Sequence, residues 1–160
     1  MIYYQAGSED MVIGPNDLEY GIYSALVKIG KKKKVLVIPP DFTRFHSKAG
    51  DITTLIYKYY KENLSDILPA LGTHSPMTDA QITEMFRDVP KDLFRVHDWR
   101  NDVMTVGTVP GEFVSEITEG ALDYYWPAQL NKIVIKGGYD LILSVGQVVP
   151  HEVAGMANYN

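Results

Sequence analysis

Asp41, Arg44, His74 and His151 combine reactive side-chain types with a shared place in the chain pattern. Each follows a short apolar run. Val35-Leu36-Val37-Ile38 breaks at Pro39-Pro40 and gives way to Asp41-Phe42-Thr43-Arg44. Leu68-Pro69-Ala70-Leu71 ends at Gly72-Thr73-His74, and Leu141-Ile142-Leu143-Ser144-Val145 ends near Pro150-His151. If these runs are buried strands, all four residues lie on one rim. The carboxyl edge of an open α/β sheet is where ligands bind. A guanidinium is a planar fork suited to a carboxylate or phosphate. Asp41 has several readings: a local pair with Arg44, an acceptor for a ribose or backbone group, or a cap for the next helix. Thr43 either donates to a phosphate or closes a turn. A histidine titrates near working pH, so His74 and His151 read either as general acid and base or as structural residues. Gly72 lets a ligand approach the backbone closely. Two histidines on one rim suggest a pair, one on each face of a substrate. His46 and His97 read as structural.

The elements that must position these residues follow from periodicity. Pro15-Asn16-Asp17-Leu18 opens a helix, apolar residues recur from Leu18 to Ile29 at helical spacing, and Gly30 ends the run. Ile2 to Ala6 is expected to be a short strand, Val35 to Ile38 a firm one. Ile52, Leu55, Ile56 and Tyr59 mark a second helix ending near Asn63. Ile67 to Leu71 is expected to be the second strand. Thr78 and Gln81 have capping-box spacing for a third helix, and Phe94 to His97 reads as a strand. Met104–Val109, Phe113–Thr118 and the stretch to Trp126 read as antiparallel hairpins. Pro127 is expected to open a helix through Leu130, Ile133 and Val134, and Leu141 to Val145 is the last strand. The expected fold is therefore α/β: a mainly parallel, Rossmann-like sheet with helices on both faces and a hairpin insertion around residues 104–126.

Composition narrows the function. The chain has 160 residues, 46% apolar and 22% charged, which suits one globular domain rather than disorder. A net charge of -5 argues against a nucleic-acid footprint. Lys31-Lys32-Lys33-Lys34 reads as a solvated turn, with a phosphate or nucleic-acid patch as the other reading. The absence of cysteine excludes disulfides, thiolate metal sites and a cysteine nucleophile, and fits a cytoplasmic protein. Neither a signal peptide nor an apolar run near the roughly 18 residues of a membrane span is present in the sequence. No His-x3-His spacing, phosphate-binding glycine loop or Gly-x-Ser-x-Gly elbow appears. After Pro150-His151 the sequence supplies no closing element, so it is expected to be a piece of a longer chain.

Three segments together resemble one family. Asp41-Phe42-Thr43-Arg44 is similar to its Asp-x-Thr-Arg loop, Gly72-Thr73-His74-Ser75-Pro76-Met77-Thr78 to its Gly-x-His-x-Pro-x-Thr loop, and Pro150-His151-Glu152-Val153-Ala154-Gly155 to its Pro-His-x-x-Ala-Gly segment. Their order and their places after strands also agree. The family is that of the nickel-pincer-dependent lactate racemase and its relatives, and the resemblance spans about residues 35–155. It implies that residues 1–160 are the N-terminal catalytic domain of a two-domain 2-hydroxy acid racemase or epimerase. The cofactor would be a nickel-bearing pyridinium mononucleotide held between the domains. His74 and His151 would be the acid–base pair while hydride moves to the cofactor ring and returns to the other face. Arg44 would bind the substrate carboxylate, and Asp41, Thr43 and Gly155 would lie by the cofactor or substrate. The implied partners are a small 2-hydroxy acid and the C-terminal domain, with no nucleic acid and no membrane. Phe45 stands where the family commonly has proline, which points away from lactate itself. The family's cofactor-carrying lysine would fall just past Asn160 and the nickel ligand later still, so no metal ligand is expected in these residues. Two rival readings come from the residues alone: a non-catalytic module binding a sugar acid or phosphorylated ligand, and a zinc enzyme using His74 and His151.

Overall fold

The computed structural model describes residues 1–151 and 155–157, with His151 and Gly155–Ala157 described by backbone only. In chain order the elements are α1 (Pro15–Ile29), β1 (Val35–Ile38), α2 (Ala49–Tyr60), β2 (Leu64–Ile67), α3 (Asp79–Phe86), β3 (Val103–Val109), α4 (Gly111–Ile117), β4 (Trp126–Asn131), α5 (Lys132–Lys136), β5 (Leu141–Ser144), β6 (Val149–His151) and β7 (Gly155–Ala157). They form two compact units. One runs to Val96 and resumes at Tyr139, and the other spans His97–Gly138.

The first unit is built on a three-stranded parallel sheet in the order β2-β1-β5, flanked by helices. Period-two alternation sends Val35 and Val37 of β1 into one core with Leu26 of α1, Ile56 and Tyr60 of α2, Ile67 of β2 and Phe86 of α3. Gly50 makes that packing close. A Cβ there would lie 2.1 Å from the Met85 carbonyl oxygen, so only glycine lets α2 meet α3 at this distance. Among the helix ends the sequence marks, Gly30 follows α1 in a left-handed φ of 82°, and Thr78 and Gln81 close the capping box of α3.

Several expected strands differ. Ile2 to Ala6 forms no strand. The second strand is Leu64–Ile67 instead of Ile67–Leu71, because Pro69 cannot donate to a ladder. Parallel contact with β1 still continues past it. Leu68 donates to Val37 at 2.9 Å and Ala70 to Pro39 at 2.8 Å, so the two chains run side by side to the site. Phe94–His97 is no strand. It makes a single bridge, Ile67 to Phe94.

The second unit is an antiparallel pair, β3 with β4, carrying two short helices. The hairpin expected around residues 104–126 is thus a two-stranded sheet with different partners. Phe113–Thr118 lies mostly in α4, entered at Pro110, and it buries Val114. Pro127 lies within β4 opposite Thr108 rather than opening a helix. Both strands of a two-stranded sheet are edges, where proline is tolerated. The helix begins instead at Lys132, where the Asn131 side chain accepts the Ile133 N–H at 2.9 Å.

Candidate active site

The parallel order β2-β1-β5 has a direct consequence. From β1 the chain turns first to β2 on one side and later to β5 on the other, so the carboxyl ends of β1 and β5 form a topological switch point. Asp41 follows β1 and caps a 3-10 stretch, Phe42–Ser47. His74 follows the extension of β2 in a turn closed by its N–H on the Leu71 carbonyl at 2.9 Å. Gly72 takes the φ of +56° that this turn requires.

The first product of this arrangement is a carboxylate–imidazole dyad. Asp41 is only 5% exposed. Its Oδ1 accepts the Thr43 N–H at 3.0 Å and the Thr43 hydroxyl, and its Oδ2 lies 2.6 Å from His74 Nδ1. Burial pushes the Asp41 carboxyl up, but the Thr43 hydroxyl, the His74 ring, the Thr43 amide and the His74 charge together outweigh it. The net effect holds Asp41 below the usual carboxylate value. An ionised carboxylate only accepts, so Nδ1 carries the shared proton and Nε2 is the ring position left for proton exchange. The His74 side chain is 58% exposed. A buried acid thus fixes the ring of a histidine whose outer nitrogen faces solvent, the layout of a general base.

The second product is an arginine side chain left without a partner among the described residues. The simplest sequence reading paired Asp41 with Arg44, and the structure separates their side chains. Only the Arg44 N–H reaches Asp41, on its backbone carbonyl at 3.0 Å. The guanidinium has no partner among the described residues. It lines a cavity of about 180 Å³ at the switch point, with Ile38 and Pro40 from the end of β1, Ala70, and Ser144, Val145 and Gln147 from the end of β5. Ser47 adds a hydroxyl. Asp41 and His74 are not among the lining residues. Ser47 and Gln147 were missed in the sequence. Their only signal was position, just past Arg44 and just past the β5 run.

The remaining site residues are placed as follows. Phe45 stands half-exposed with its ring 5.3 Å from Phe42. His151 ends β6 opposite Gly155 of β7, while the His151 side chain lies outside the described residues. His46 is exposed, edge-on to Phe45 at 6.0 Å. His97 Nδ1 accepts from the Asn131 amide at 2.8 Å within the second unit. Among the described residues no three His, Cys, Asp or Glu side chains are grouped to hold a metal ion. Nor is any helix among them long and apolar enough to cross a membrane.

No protein-family model matches the chain, and neither does any curated protein. Solved structures do. A crystal structure of a protein from Thermotoga maritima is similar with 27% identity and a TM-score of 0.74, over 89% of this chain and 36% of that one. The lactate racemase apoprotein from Thermoanaerobacterium thermosaccharolyticum is similar with 24% identity and a TM-score of 0.56, over 89% of this chain and 30% of that one. The fold is therefore lactate-racemase-like. The chain spans about a third of the length of the solved structures it matches.

Proposed function

We propose that this chain is the N-terminal, acid–base and anion-binding part of a longer cytoplasmic enzyme that racemises or epimerises a 2-hydroxy acid. The observation that carries the reading is the pairing of Asp41 with His74 and an unpaired Arg44, all following the carboxyl ends of parallel strands. Arg44 binds the substrate carboxylate through its fork. His74 Nε2 takes the proton of the 2-hydroxyl as the carbon becomes planar, and Asp41 steadies the imidazolium that results. His151 serves the opposite face as the second acid–base group. Thr43 holds Asp41 in place, and Gly155 lies beside the cofactor. The nickel-pincer nucleotide would supply the hydride acceptor. The described residues do not group to hold a metal ion. The C-terminal domain of the longer protein would bring the groups that hold it.

The test is turnover of the longer protein, loaded with cofactor, on enantiopure 2-hydroxy acids followed by chiral chromatography. His74→Ala and His151→Ala should each abolish interconversion, and the 160-residue chain alone should show none. Normal turnover in either variant sinks the acid–base assignment. The free guanidinium also favours a second reading, a module that binds a sugar acid or phosphorylated ligand. Ligand binding by the longer protein with no nickel-dependent turnover would select that one.

A further inference from the structure

We propose that Ser47 and Gln147 determine specificity. Lining the same cavity as Arg44, they select a 2,3-dihydroxy acid over a simple 2-hydroxy acid. The inference rests on the reading that Arg44 receives a carboxylate, and it adds what the rest of the ligand must be.

Size comes first. A cavity of about 180 Å³ has room for several waters and so for a small acid. That is well below the roughly 300–1,000 Å³ of sites for drug-sized ligands. It accommodates an acid of three or four carbons, and because Arg44 and Gln147 are exposed a longer chain can extend into solvent.

Polarity comes second. Ile38, Pro40, Ala70 and Val145 present apolar side chains to the cavity. Three side chains bring polar groups that are not already committed. The Arg44 guanidinium is unpaired, as described above. Gln147 makes no hydrogen bond among the described residues, so its amide offers two donors and an acceptor. Ser47 Oγ accepts the Ala49 N–H at 3.3 Å, which leaves its own proton to donate. One cation matches one carboxylate. The neutral serine and glutamine then call for a neutral polar group, and a 3-hydroxyl provides both a donor and an acceptor. A methyl in that place would leave both side chains facing an apolar group they cannot bond. Gln147 is exposed, so water offsets part of that loss and the selectivity should be modest.

The experiment titrates the 160-residue chain with lactate, glycerate and a six-carbon sugar acid, following side-chain Arg and Gln resonances by NMR. Glycerate should bind about tenfold more tightly than lactate, and the six-carbon acid, which carries the same 3-hydroxyl, should also bind more tightly than lactate. Gln147→Leu and Ser47→Ala should each narrow the gap, and Arg44→Gln should weaken both short acids. Equal binding of lactate and glycerate by the unaltered chain overturns the proposal, as does no binding of either. A gap left at full size by Gln147→Leu overturns it too. No turnover is involved, so these results stand apart from those of the racemisation assay.

Discussion

Two buried carboxylates, Asp41 and Asp66, are handled in opposite ways. Asp66 of β2 is 9% exposed and spends both oxygens on the fold. Oδ1 accepts Arg95 Nε at 2.6 Å, and Oδ2 accepts the Tyr139 hydroxyl at 2.6 Å. Arg95 also donates to the Asp92 carbonyl at 2.8 Å. Burial, the bond to Asp66 and the Asp66 charge all raise the Tyr139 phenol, which stays a neutral donor. This cluster is closed. It is also well placed, because Arg95 lies just before the chain leaves the first unit at Val96 and Tyr139 is where it returns. One acid thus ties down both crossings. Asp41 is as buried, yet its second oxygen goes to a histidine whose outer nitrogen is left to solvent. Burial and pairing alone do not separate a structural acid from a functional one. What separates them is whether the partner has capacity left over.

The sharpest way to break this contrast is Asp41→Asn. An amide in place of the carboxylate can donate to Nδ1 and so stabilise the wrong tautomer of His74. The expected loss in turnover of the longer enzyme is about 10²–10⁴-fold, with folding retained. Turnover within a few-fold of the parent would make Asp41 as structural as Asp66. The converse variant, Asp66→Ala, should cost stability and leave ligand binding alone. Arg95 is 46% exposed, so water can take over its charge and the full penalty of a broken buried pair does not apply. A loss of about 2 kcal/mol by urea unfolding is expected, mainly from the two hydrogen bonds. An altered glycerate or lactate titration in this variant would show that the closed cluster reaches the site.

Much of this contrast was legible along the chain, and part of it was not. Strand β1, helices α1 to α3 and the ends of β5 follow from local periodicity and caps. So does the placing of Asp41, Arg44 and His74 on one rim, because each comes directly after an apolar run. The pairing on that rim was not legible. Asp41 reaches 33 residues to His74 and leaves Arg44, three residues away, free. A sequence favours the near partner, whereas the sheet brings β1 and the extension of β2 together and favours the far one. Asp66 gave no signal at all, since its partners lie 29 and 73 residues off. The second unit misled for a different reason. Phe113–Thr118 has β-type residues, and Pro127 resembles a helix start, but burial of Val114 and an edge-strand position decided otherwise.

The smallest effect is a pH dependence that belongs to Asp41. Its folded carboxyl lies below the ordinary value of 3.8. Folding therefore favours the ionised form. The stability this contributes is fully present above the unfolded value and is lost as pH falls through the folded one. The asparagine variant has no such proton to bind. The stability difference between the parent chain and Asp41→Asn should then be flat above about pH 5 and shrink as the solution is acidified below about pH 4. Urea midpoints of both chains from pH 3 to 6 read this directly. A difference that grows on acidification would mean that the folded carboxyl prefers its proton. His74 Nδ1 would then have no ionised acceptor, and the dyad would lose the tautomer on which its role as a base depends.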